Sequence, residues 1–124
     1  MTDPRRALGA AGEARAAAWY RARGYEVLAR NWRCREGELD LVVRRGGVLA
    51  VVEVKTRTSD RFGTPAAAVT PAKQRRLRGL ALRYVAETGV RSRSIRFDVV
   101  AILGGRLEVR EGAFLASAGF ASAA

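Results

Sequence analysis

The chain contains no histidine. That absence removes imidazole general bases, histidine-ligated zinc and Ser-His-Asp triads together. Any catalysis must then rest on carboxylates and lysine, a donor set that selects a hard cation bound through oxygen, Mg2+ or Mn2+, over zinc or copper. Cys34 is the only cysteine, which leaves no internal disulfide and no zinc-finger spacing. Prolines number three, and long apolar runs are missing. The stretch Val48 to Val52 is far too short to span a bilayer, and Met1 to Arg6 has no apolar signal core, so a cytoplasmic protein with no membrane partner is expected. What remains is a folded composition: 124 residues, 48% of them hydrophobic, enough for one domain with a real core. The small, weakly patterned residues 113–124 are expected to form a loosely ordered tail.

Charge is unbalanced, with 23 Lys plus Arg against 12 Asp plus Glu, a net +11. Basic surfaces gain affinity for nucleic acid by releasing counterions from phosphates, so a polyanion partner is indicated. A general bias toward arginine would produce the same imbalance. The lysines speak against that being all: of the 23 basic residues only Lys55 and Lys73 are lysines, and the other 21 are arginines. A chain that uses arginine so freely keeps lysine where a compact ammonium is required.

The element order reads helix, strands, helix, strands. Ala7 to Arg23 is alanine-rich and closes at Gly24, which suits a helix. Tyr25 to Asn31 reads as a short strand. Glu38 to Val43 and Val48 to Lys55 are strand-like runs joined by Arg44-Arg45-Gly46-Gly47, a hairpin signature. Thr58 to Ala68, with Gly63 and Pro65, reads as a loop. Thr70-Pro71 then gives an N-cap with proline at the first helical position. Leu77, Leu80, Ala81 and Tyr84 recur at helical spacing on one face, while Lys73, Arg75, Arg76 and Arg83 fall on others. After Gly89, Ile95 to Leu103 makes a strand that turns at Gly104-Gly105 into Leu107 to Arg110. A helix crossing between Val48–Lys55 and Ile95–Leu103 permits those strands to pair in parallel. The expected fold is α/β, a central mixed sheet flanked by helices.

The hairpin places chemistry. A turn at Gly46-Gly47 sets Asp40 opposite Glu53 and Glu38 opposite Lys55; a turn at Arg45-Gly46 sets Glu38 opposite Glu53 instead. Either register puts all four on one side of the sheet, because alternate residues share a face. Facing carboxylates repel, and a divalent cation is the natural compensation, with water and substrate phosphate completing its shell. Lys55 would then orient the attacking water and the charged transition state. A solvated hairpin face laced with salt bridges is the competing reading. Glu13 sits in a helical stripe of small residues, Gly9, Ala10, Ala16 and Ala17, where a carboxylate asks for a partner.

The ordered set Glu13, Gly37-Glu38-Leu39-Asp40-Leu41 and Val52-Glu53-Val54-Lys55-Thr56-Arg57 resembles the PD-(D/E)xK nuclease superfamily. More narrowly, it is similar to the bacterial YraN family, whose members resemble archaeal Holliday-junction resolvases. Asn31, Arg33, Phe62-Gly63-Thr64-Pro65, Lys73 and Arg96-Phe97-Asp98-Val99 extend the likeness from about Gly9 to Phe114. The resemblance implies a restriction-endonuclease-like fold in which Glu13, Asp40, Glu53 and Lys55 are catalytic and Asp40 and Glu53 bind Mg2+ or Mn2+. Glu38, Arg57 and Lys73 would orient the site or touch phosphate. The implied activity is metal-dependent phosphodiester hydrolysis on DNA, ahead of RNA, with branched DNA suiting a C2 homodimer. Two rivals stand beside it: a nucleic-acid-binding protein with the fold but no cleavage, and a protein scaffold.

Overall fold

The computed structural model describes residues 4–57 and 69–114, with side chains from Leu8 onward. Its order is α1 (Pro4–Ala22), β1 (Glu26–Cys34), β2 (Gly37–Arg45), β3 (Val48–Arg57), α2 (Pro71–Thr88), β4 (Ser94–Leu103) and β5 (Arg106–Phe114). The expected loop of residues 58–68, with Phe62-Gly63-Thr64-Pro65, lies outside the described residues. Strand β5 runs on through Ala113 and Phe114, whose ring stacks on Phe97 at 4.9 Å, while 115–124 lie outside. Strand β1 continues three residues past Asn31, because Trp32 has an apolar partner to cover.

The five strands form one sheet in sequence order. β3 and β4, joined through α2, pair in parallel, and the neighbours joined by short turns are antiparallel. The fold is α/β, a mixed sheet between two helices, the architecture expected of the restriction-endonuclease-like class. Both faces of the central strands are covered, which is why they read as nearly continuous apolar runs rather than alternating ones. One face carries Leu49, Val51, Phe97 and Val99 against Leu77, Leu80, Ala81 and Tyr84 of α2. The other carries Ala50, Val52, Val100 and Ile102 against Ala16, Ala17 and Tyr20 of α1. Neither helix is long and apolar enough to cross a membrane.

Local signals set the ends of α2. Thr70 Oγ1 accepts from Lys73 N at 3.2 Å, Pro71 fills the first turn, and Gly89 takes the left-handed conformation that closes the helix. The cap fixes where Lys73 starts. In the β2–β3 hairpin Arg45 pairs with Val48 across Gly46-Gly47, which selects the first of the two registers.

Candidate active site

The β2–β3 ladder is regular from Arg45↔Val48 to Leu41↔Val52 and ends there. At the next position Asp40 Oδ2 accepts from Val54 N at 2.9 Å, so a side-chain carboxylate takes a strand amide that a carbonyl would otherwise hold. The β1–β2 hairpin turns over at the same level. Leu41 packs on the α1 side and Leu39 on the α2 side, although residues two apart on a regular strand share a face. Across from them Arg30 pairs with Leu41 and Trp32 with Leu39, which puts Asn31 opposite Asp40. Asn31 has φ 53°, the only positive φ of a non-glycine residue among those described. Asparagine tolerates that conformation better than other side chains, so the reversal of faces is local and specific to this pair.

The reversal splits the expected constellation. Glu53 and Lys55 stay on the α2 side, but Glu38 turns to the α1 side, where it pairs with Arg33 at 2.8 Å and does not meet Lys55. Glu38, Arg33, Asn31 and Glu13 line one open cavity there, together with Gly9 and Ala10 of α1. The single shared face expected for four polar groups is therefore corrected to two, with Asp40 between them. Burial, followed by the charge of Glu53, pushes the Asp40 carboxyl up to about 7; Val54 N–H pulls the other way, and Glu13 and Glu38 add further repulsion. Asp40 is thus where the three other acids are felt together.

Glu53 is buried, with 7% of its surface exposed. Two ammonium groups reach its Oε1: Lys73 from α2 at 2.8 Å and Lys55 from its own strand at 3.2 Å. They are the only lysines in the chain. Burial lowers the pKa of Lys55, and its hydrogen bond with Lys73 lowers it further. For Lys73 burial acts downward too, but the hydrogen bonds to Glu53 and Lys55 outweigh it and the net shift is upward. Arg57 takes no part in this cluster: it lines a separate, mostly apolar cavity with Leu8, Arg15 and the Gly104-Gly105 turn.

Residues 12–102 match the model of a family described as "Uncharacterised protein family UPF0102". The chain belongs to the UPF0102 family. A UPF0102 protein of Beutenbergia cavernae is 56% identical over 97 residues, 78% of this chain and 82% of the relative. That of Mycolicibacterium gilvum is 55% identical over 103 residues, covering 82% and 84%. A Moorella thermoacetica UPF0102 protein is 46% identical over 120 residues, 92% of this chain and the whole of the relative. The matched span of the UPF0102 chain contains Glu13, Asp40, Glu53, Lys55 and Lys73 and stops before β5.

The donor set of this UPF0102 member can be tested against a metal. Among the described residues no group of three or more acids or cysteines is placed to hold an ion. Two carboxylates, Asp40 and Glu53, lie near enough for the charge of Glu53 to raise the Asp40 carboxyl. Asp40 has one hydrogen bond and no ion pair among those residues, and its neighbour Glu53 supplies the second oxygen donor. Such a pair fits Mg2+ or Mn2+, which take one or two carboxylates and complete their shell with water and phosphate oxygens.

One acid carried no role in the sequence reading. Asp98 is 1% exposed and accepts four hydrogen bonds, from Tyr20 Oη at 2.7 Å, Arg96 Nε at 2.8 Å, Arg96 Nη2 at 2.9 Å and Gly112 N at 3.0 Å. Arg96 also donates to Tyr25 Oη at 2.8 Å. The network ties α1, β4 and β5 together on the face away from Glu53, and its signal was an acid inside the apolar run Phe97 to Ile102 with arginine two residues earlier. The carboxylate raises the Arg96 pKa, and burial together with that carboxylate raises the Tyr20 pKa.

Proposed function

We propose that this protein is a metal-dependent phosphodiesterase acting on nucleic acid, DNA ahead of RNA. The observation that carries the reading is the meeting of two carboxylates, Asp40 and Glu53, where the β2–β3 ladder ends, with the Lys55 ammonium 3.2 Å from Glu53. Asp40 and Glu53 would hold Mg2+ or Mn2+, which when bound lowers the pKa of water and neutralises charge at phosphorus. Lys55, its ammonium already destabilised by burial, would orient the attacking water and meet the developing negative charge. The net charge of +11, with Arg75 and Arg76 exposed on the helix that carries Lys73, supports a polyanionic substrate.

A second reading has its own observation. Glu53 is paired with two lysines, an arrangement that also suits a nucleic-acid-binding protein that keeps the fold and does not cleave. The deciding experiment is a cleavage assay on duplex, flap, junction and RNA substrates with Mg2+ and with Mn2+. Metal-dependent cleavage of any of them supports the nuclease. Tight binding that is indifferent to metal, with no cleavage anywhere, supports the binder. Sedimentation with and without a junction tests the C2 dimer that a two-fold substrate would favour.

A further inference from the structure

We infer that Lys73 is a built-in counter-cation of the metal site: it holds Glu53 while the site is free of metal, exchanges with the divalent cation, and is thereby released toward substrate phosphate. The inference rests on the proposed function and assigns Lys73 a position-dependent role within it. Four observations carry it. The chain has two lysines, and both converge on one oxygen of one buried carboxylate. Arginines outnumber lysines 21 to two, yet the ion pairs on Glu53 among the described residues both come from lysine; a compact ammonium on a flexible stem can leave a carboxylate more readily than a bidentate guanidinium. Of the two, Lys73 makes the shorter pair and keeps the more exposed side chain, 29% against 18%, so its head group has water to move into. Lys55 is tethered to the same strand two residues from Glu53.

The backbone assigns the motion to the side chain alone. Lys73 N is fixed on Thr70 Oγ1 in the capped first turn of α2, and Leu77 and Leu80 anchor that helix in the core. Arg75 and Arg76 are exposed on the same helix, so an ammonium leaving Glu53 stays beside the basic face offered to a polyanion. With Lys55 already on Glu53, Lys73 and a divalent cation at the same carboxylate would repel each other: a unit charge a few Å away, even at the screened values found near protein surfaces, is worth several RT. Metal affinity is therefore set in part by how firmly Lys73 holds on.

The test uses the full chain and reads metal, not activity. Lysine-selective 13Cε labelling gives two resonances, one each for Lys55 and Lys73, assigned with Lys73→Arg. Titration with Mg2+ should move the Lys73 resonance to the position of a free, solvated lysine while shifting that of Lys55 less. Calorimetric titration with Mn2+ should show Lys73→Met binding at least about tenfold more tightly than wild type, and Lys73→Arg binding no more tightly than wild type. Lys73→Gln, run in parallel, serves should the methionine variant lose its fold by circular dichroism. Metal binding with an unmoved Lys73 resonance, or equal Mn2+ affinity in wild type and Lys73→Met, overturns the inference and leaves the nuclease reading standing. Competition of the expected kind without cleavage of any nucleic acid overturns the nuclease reading and leaves the exchange standing. Absence of metal binding in wild type and variants alike overturns both.

Discussion

Lys73, on the first turn of α2, sits 2.8 Å from Glu53 Oε1 on β3, so the helix and the middle of the sheet are joined at the candidate site by one ion pair. Lys55 shares the same oxygen. Removing the carboxylate is therefore not a neutral change of shape: Glu53→Gln leaves two ammonium groups side by side with only the more distant charge of Asp40 acting on Lys73. Breaking a fully buried pair this way costs about 3–5 kcal/mol. Both lysines here keep some water, so the expected loss is smaller, about 2 kcal/mol. Lys73→Met in the same chain should restore part of it. Urea denaturation of the two single variants and the double variant checks the coupling, and strict additivity would mean that the pair contributes nothing.

Asp40 gives stability a pH dependence of definite sign. Its carboxyl, ordinarily at 3.8, is raised to about 7 in the folded chain by burial and by Glu53. Between those values the folded state holds a proton that the unfolded state has released, so this group's contribution is full below the lower value and is lost as pH rises through the upper one. Asp40→Asn keeps an oxygen for Val54 N–H and removes the charge. It should be more stable than wild type at about pH 8, with the gap shrinking as pH falls toward about 4. Thermal melts across that range decide it; a gap that does not vary with pH would show Asp40 to be ordinarily ionised. Saturating Mg2+ should raise the wild-type melting temperature at pH 8 and leave Asp40→Asn unmoved.

The parts legible in the sequence were those fixed by short-range chemistry. Thr70-Pro71 and Gly89 marked α2, and Gly46-Gly47 left two registers of which the observed one sets Asp40 level with Glu53. The run Val48 to Lys55 and its crossover gave the parallel partner, Ile95 to Leu103. The sequence could not show where the strand pattern breaks. Alternation along Glu38, Asp40, Glu53 and Lys55 assumes an unbroken pleat, and the positive φ of Asn31 with the sidestep at Asp40 turns Glu38 to the other face. The resemblance implies that Lys73 of α2 supports the site, but its contact with Glu53 depends on how the helix crosses the sheet. No local pattern encodes that crossing.

The turn at Asn31 carries its own expectation. A β-branched side chain at φ 53° is strained, so Asn31→Val should cost about 1–2 kcal/mol while Asn31→Gly stays near neutral. Denaturant midpoints measure both. Equal loss in the two variants would assign the cost to the amide side chain rather than to the backbone.

Gly12 lets α1 approach β3. A Cβ there would run into Thr56 Oγ1 and come within 3.2 Å of Ile102 Cδ1. Thr56 Oγ1 is itself buried with no hydrogen-bond partner among the described residues. Gly12→Ala should therefore destabilise by about 1–3 kcal/mol, the usual cost of overpacking. Thr56→Ala, which removes an unpaired hydroxyl, should be neutral or stabilising and should rescue part of the loss in the double variant. Because Glu13 is the next residue, Gly12→Ala should also change metal affinity if Glu13 acts at Asp40. Calorimetry on the folded double variant separates that effect from stability.

The separation of enzyme from binder is best made at Asp40 and Lys55, since Glu53→Gln also disturbs the lysines. Asp40→Asn removes a charged metal ligand and should lower metal-dependent cleavage by at least about 100-fold, with metal affinity falling in parallel. Lys55→Ala should lose cleavage on the same scale yet still bind metal, because its assigned work is with the nucleophile and the developing charge at phosphorus. Without metal, affinity for nucleic acid should stay level or rise in Asp40→Asn: a site facing phosphate has lost a negative charge. In every variant that affinity should fall steeply with salt, since it rests on the +11 chain releasing counterions. Filter binding and gel-based cleavage on one set of substrates read nucleic-acid affinity, its salt dependence and cleavage, and calorimetric titration with Mn2+ reads metal affinity. Should wild type cleave nothing with either metal while both variants bind nucleic acid as it does, the carboxylates and lysines serve the fold, and the binding role is the function.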